Sequence, residues 1–195
     1  MLIYDIEIAN AIPSRDGLRT PNISYCEGWT DFLGMGVSVL ACYDYVRDHY
    51  RVFCKDNLAD FAALAERHDV LVGFNNLRFD NQVLTAHGIA LNQASCYDLF
   101  IEIQRGLGLD FNNPAQRRSG YNLQGMAYAN FRAKKSGSGA DAPALWQSGK
   151  TGSVIDYCLS DVHLTKRLID RVIRGGALAD PLDERKSISI RRPGA

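Results

Sequence analysis

The chain has 195 residues, 46% of them hydrophobic and 23% charged. That is enough for one domain whose core needs no staples, and too ordinary for a fibrous or disordered protein. Its 22 Lys and Arg balance 22 Asp and Glu, which excludes a polybasic protein acting through bulk charge but leaves local charged patches open.

Leu2 to Ile8 is apolar and β-branched apart from its acids, and reads as a strand. Residues 9–31 carry Pro13, Gly17, Pro21 and Gly28 and read as a long loop, a feature often functional in a compact domain. Gly34 to Tyr43 and Tyr50 to Cys54 read as an antiparallel strand pair. Asp56 or Asn57 can cap a helix to about Arg67, and Val70 to Phe74 suits a buried strand. Asp80 to His87 reads as a helix stopped by Gly88. Ser95 to Tyr97 reads as a last short strand, and Asp98 caps a helix to about Arg105. Residues 106–121 read as loop, Asn122 caps a helix to about Asn130, and Lys134 to Ala142 is a Gly/Ser-rich loop. A long helix covers about Ser153 to Arg174, ended by Gly175 and Gly176. The order of elements implies an α/β fold with a mixed sheet, in a domain over residues 1–176, with 177–195 as an aperiodic tail.

Charge is unevenly spread. Residues 1–101 hold 7 basic and 13 acidic residues, and residues 102–135 hold 6 basic and 2 acidic. Residues 162–195 hold 8 basic and 4 acidic. The five cysteines are odd in number, widely spaced and form no CxxC pair, which points to free thiols in a reducing, cytoplasmic setting. The first residues lack a signal-peptide pattern, and no apolar run approaches the roughly 18 residues of a membrane span, so no membrane association is expected. Gly149-Lys150-Thr151 superficially matches a P-loop ending, but Ala144 stands where its first glycine should be.

Three features carry chemistry. Asp5 and Glu7 lie two apart on an apolar strand, so both carboxylates point to the face that carries Ile3. Repulsion and burial make that arrangement costly, and a hard divalent cation relieves both; an exposed edge-strand pair is the alternative. Asn75, Asn76 and Asp80 follow the end of an apolar strand, where open α/β sheets place ligands; there Asp80 is either a site residue or a helix cap. Tyr157 and Asp161 are i,i+4 neighbours on a face extended by Leu164 and Leu168, so the acid points inward, where either a metal or a hydrogen bond with Tyr157 in the core would partner it.

In this order and spacing the three features resemble the exonuclease motifs of the DEDD superfamily, within the ribonuclease H-like fold. Asp5 and Glu7 match the first motif. Asn75 or Asn76, with Phe79 and Asp80, matches the second. Tyr157 and Asp161 match the third, in its Tyr-type form; the His-type form would want His where Asp156 stands. The resemblance runs from residue 2 to about 174. It implies a mixed central sheet, its first three strands antiparallel, flanked by helices. It also implies 3′→5′ hydrolysis of single-stranded nucleic acid to nucleoside 5′-monophosphates, DNA slightly favoured over RNA, with two Mg²⁺ or Mn²⁺ ions. In that scheme Asp5 bridges both ions, Glu7 and Asp161 complete one site, Asp80 serves the other, and Tyr157 orients the attacking water. Ile6, through its backbone, Asn75 or Asn76, and Phe79 would contact the terminal nucleotide. Arg118, Lys134 and Lys135, with Arg117 and Arg132, would hold phosphates, and Tyr121, Phe131 and Trp146 would stack on bases. A replication or repair protein, not identified, would be a further partner. A structure-specific endonuclease and a non-catalytic nucleic-acid-binding adaptor are the competing readings.

Overall fold

Strand β1 (Leu2–Ile8) lies at the centre of a five-stranded sheet, because its apolar residues alternate onto two faces and both are covered. The computed structural model describes residues 1–113, 116, 119–134 and 137–195. β1 pairs antiparallel with β2 (Val37–Asp44), which pairs antiparallel with β3 (His49–Cys54). On its other side β1 runs parallel to β4 (Leu71–Gly73), and β4 runs parallel to β5 (Cys96–Asp98). The order is β3-β2-β1-β4-β5, a mixed sheet whose first three strands are antiparallel, as expected from the sequence.

One sheet face carries Leu2, Tyr4, Ile6 and Leu40 and is covered by α2 (Leu58–Ala65) through Phe61 and by α3 (Asp80–Ala86) through Val83 and Leu84. The other carries Ile3, Val39, Ala41 and Val72 and packs under the 23-residue helix α7 (Thr151–Ile173). Val154, Cys158, Val162, Leu168 and Val172 repeat at helical spacing and form the buried stripe of α7. Helices α4 (Leu99–Gly106) and α5 (Leu123–Phe131) complete that layer. Asp98 and Asn122 cap them as expected: Asp98 Oδ1 accepts from Phe100 N at 2.9 Å, and Asn122 Oδ1 from Gly125 N at 2.8 Å. Among the described residues no helix is long and apolar enough to cross a membrane.

Three local expectations are corrected. The second strand starts at Val37 rather than Gly34, because Asp31 accepts from Gly34 N and closes the short helix α1 (Phe32–Met35). Helix α6 (Ala142–Gln147), which begins with Pro143 in its first turn, was not expected. Residues 177–195 are no aperiodic tail: β6 (Leu178–Asp180) and β7 (Asp183–Ile188) form a hairpin. Its end residues Leu178 and Ile188 are buried in the core while the charged centre of β7 faces water, a pattern too sparse to show as periodicity.

Candidate active site

β1 presents Asp5 and Glu7 beside Ala41 and Val39 of β2, on the face that α7 covers. Glu7 is buried and Asp5 half-buried, on a central strand, so the edge-strand alternative is excluded. From α7, Cys158 points down at Asp5: its thiol donates to the Asp5 carbonyl at 3.4 Å and lies 3.7 Å from Asp5 Oδ2. Burial first, then the charges of Asp5 and Glu7, push the Cys158 pKa well above that of an ordinary thiol, so the proton stays on sulfur. One helical turn on, Asp161 is buried on the same side, next to Tyr157. Burial first, then Asp161, Glu7 and Asp5, raise the Tyr157 pKa far above the usual value, so its hydroxyl keeps its proton at neutral pH.

Asp80 enters from the opposite side of β1. It is the first residue of α3, not its cap, and Oδ1 accepts from Ile6 N at 3.1 Å. Burial, helped by Asp98 and Asp161, pushes its pKa from 3.8 up to about 7, against the lowering effect of backbone N–H donors. The turn before it, 74–79, is shaped by Asp98. Besides capping α4, this buried carboxylate accepts from Asn75 N at 2.9 Å and from Leu77 N at 3.1 Å. Asn75 takes a φ of 65°, a left-handed conformation that Asn tolerates better than most residues. Asn76 instead turns into the core. It is fully buried, donates to Tyr4 Oη at 2.8 Å, and fills the space over Gly73, where a Cβ would lie 2.5 Å from the Asn76 side chain.

These groups meet in one cleft of about 810 Å³. Asp5, Glu7, Asp80, Tyr157 and Asp161 all line it, with Ile6, Asn75 and Phe79 beside them. Asn76 does not, so the choice between the two asparagines falls on Asn75. The Ile6 N–H is engaged by Asp80, so that donor is not directed at a nucleotide. Residues 137–139, ahead of α6, pass over Tyr157. A Cβ at Gly137 would lie 3.2 Å from the Tyr157 ring, and one at Gly139 3.7 Å from its hydroxyl.

Of the basic and stacking residues expected from charge and composition, the described ones are elsewhere. Lys134 is exposed and not in the cleft lining, while Arg117, Arg118 and Lys135 lie outside the described residues. Arg132 pairs with Glu184 at 2.9 Å, and Tyr121 is buried with its hydroxyl on Asp180 at 3.0 Å. Phe131 lies under the Arg167 guanidinium, and Trp146 packs against the core. In their place the cleft holds Trp29, Phe32, Phe74 and Phe100, with Arg78 as the cation among its described lining residues. Sequence reading passed over these aromatics because nothing in their spacing marks them.

The donor set fits a divalent cation. Ligand atoms of Asp5, Glu7 and Cys158 lie within 4.8 Å of one another, and hard carboxylate oxygens outnumber the soft sulfur, whose proton must leave before it binds. The raised pKa of Asp80 is what uncompensated negative charge in a desolvated site produces, and a cation would reverse it.

No family model and no curated protein matches this sequence. The fold has a solved counterpart. It resembles the family B DNA polymerase from the hyperthermophilic archaeon Pyrobaculum calidifontis with a TM-score of 0.61 and 19% identity, over 88% of this chain and 24% of the polymerase. The chain thus spans about a quarter of the length of that relative. The ribonuclease H-like α/β fold expected from the sequence is borne out.

Proposed function

We propose that the chain is a two-metal 3′→5′ exonuclease of the Tyr-type DEDD group. It would hydrolyse single-stranded nucleic acid, DNA ahead of RNA, to nucleoside 5′-monophosphates. The observation that carries this reading is the convergence of four carboxylates and a tyrosine, from β1, α3 and α7, on a single cleft. A non-catalytic adaptor would gain nothing from acids held together at such electrostatic cost.

Asp5, Glu7, Asp80 and Asp161 would hold two divalent cations, magnesium or manganese, which when bound acidify water and offset charge on the phosphate. The remaining chemistry belongs to the chain. Tyr157, with its proton retained, donates a hydrogen bond that orients the attacking water; it is not the base. Cys158 Sγ–H, donated to the Asp5 carbonyl and 3.7 Å from its carboxylate, ties α7 to β1 at this residue. Asp80, tied to the Ile6 amide, holds its position relative to β1. Water gives one proton up to solvent as it attacks phosphorus, the bond between phosphorus and the 3′ oxygen of the preceding nucleotide breaks, and that oxygen leaves taking one proton back from solvent, so the step consumes one water and no net proton.

A panel of 5′- and 3′-labelled DNA and RNA oligonucleotides, single- and double-stranded, with Mg²⁺, Mn²⁺ or chelator, tests the reading. A ladder shortened from the 3′ end is expected, with metal only. Internal products would make the chain an endonuclease, and no products with either metal would make it a binding module.

A further inference from the structure

The residue 9–31 loop is a built element beside the cleft. Gln147, at the end of α6, staples it with three hydrogen bonds. Its Oε1 accepts from Ser24 N at 2.6 Å, and its Nε2 donates to Ala9 O at 2.9 Å and Ser24 O at 3.1 Å. Ala11 and Tyr25 form a β-bridge, with Ala11 N on Ser24 O and Cys26 N on Ala11 O, both at 3.0 Å. Cys26 is buried beneath. The Asp31 carboxylate then accepts from Glu27 N at 2.8 Å and Gly34 N at 2.9 Å, closing the turn that carries Trp29 between them. So the chain on both sides of Trp29 is tied down.

Trp29 itself is 67% exposed, yet it lines the same cleft as Asp5 and Glu7. Ile12 and Phe32 continue its wall, and Phe74 and Phe100 add further ring surface to the cleft. An indole on a pinned turn, open to water and next to a phosphate-processing centre, has the form of a platform for a flat apolar group carried on a phosphate chain. A nucleobase is that group. A paired duplex hides its base faces in the stack, so the ligand is an unpaired strand.

We propose that Trp29 is a nucleobase-stacking residue, presented by the 9–31 loop, that selects unpaired strands for the cleft. This deepens the nuclease reading and rests on it for where the strand lies. The stacking energy expected for one base on an aromatic ring corresponds to a roughly 5- to 150-fold change in affinity.

The test is a cycle between side chain and base. Trp29→Ala should raise KM on oligothymidylate by roughly 5- to 150-fold with a smaller change in kcat. For the wild type, making the last three nucleotides abasic should raise KM by a comparable factor. In Trp29→Ala the abasic change should then cost several-fold less. If the two effects simply multiply, Trp29 does not stack on a base and the proposal is overturned, while the nuclease reading stands. Tryptophan emission gives a readout independent of catalysis. Oligothymidylate in chelator should quench the wild type, and the quench should shrink in Trp29→Ala. A quench without any cleavage would keep the platform and sink the nuclease; an equal response in both proteins would overturn the platform.

Discussion

Asp98 is the residue whose removal should disturb the candidate site most without touching it. Its carboxylate joins two structures, capping α4 through Phe100 and Ile101 and holding the 74–79 turn through Asn75 and Leu77. Asp98→Ala orphans all four amides. Loss of the helix cap costs about 0.5–2 kcal/mol. Each turn amide left without an acceptor adds about 1–3 kcal/mol, at the lower end where cleft water can reach it. The total is about 3–5 kcal/mol, which in a chain of this length lowers the melting temperature by roughly 6–20 °C. Asp98→Asn should do less, about 1–2 kcal/mol. Its remaining oxygen can serve Asn75, Phe100 and Ile101, which share Oδ1, and only Leu77 meets an amide NH₂. The neutral side chain also escapes the burial that raises the Asp98 pKa. Thermal unfolding followed by circular dichroism, with the nuclease rate measured below the melt, checks both variants. The turn leads into Asp80, so kcat should fall in both, more in the alanine variant. A melting temperature for Asp98→Ala that reports a loss under about 1 kcal/mol would refute the reasoning. So would an asparagine variant as damaged as the alanine one.

Asp5→Ala and Asp161→Ala should fold, as judged by circular dichroism, and lose nearly all nuclease activity, as should the wild type in chelator; wild-type rates in either variant would dismiss the carboxylate assignment. Tyr157→Phe should slow turnover while strand binding, read by anisotropy, stays near wild type, because the lost group is a single hydroxyl proton donor. Metal-free stability should depend on pH through Asp80. Its pKa is raised on folding from 3.8 to about 7, so its stabilising contribution is full below about pH 4 and is lost as pH rises through 7. Melts in chelator from pH 4.5 to 8 should therefore show a decline that Asp80→Asn flattens. Ile188→Ala should cost about 2–5 kcal/mol in denaturant unfolding, as a core residue does, whereas a residue on a loose tail would cost almost nothing.

Much of the site was legible because it rests on local periods. Two residues apart on a strand share a face, and Asp5 and Glu7 do. Four apart on a helix share a face, and Tyr157 and Asp161 do. The length of α7, the cap at Asp98 and the antiparallel start of the sheet follow from the same local rules. For the described part of the basic segment, charge along the chain did not say where that charge lies. Arg132 is spent on Glu184, and Lys134 stands outside the cleft.

The sequence by itself determined that Asp5 and Glu7 would share one face of an apolar strand and that Tyr157 and Asp161 would share the inward face of one long helix, since strand and helix geometry leaves them little choice. Tertiary structure alone decided the rest. Asn75 faces the cleft and Asn76 the core because a left-handed residue turns the chain just where Gly73 leaves room beneath it. Residues 178–188 join the core because Leu178 and Ile188 find apolar neighbours far away in sequence. Trp29 reaches the cleft because Gln147, more than a hundred residues on, holds its loop. Each of these depends on a contact between distant segments, which no local period encodes.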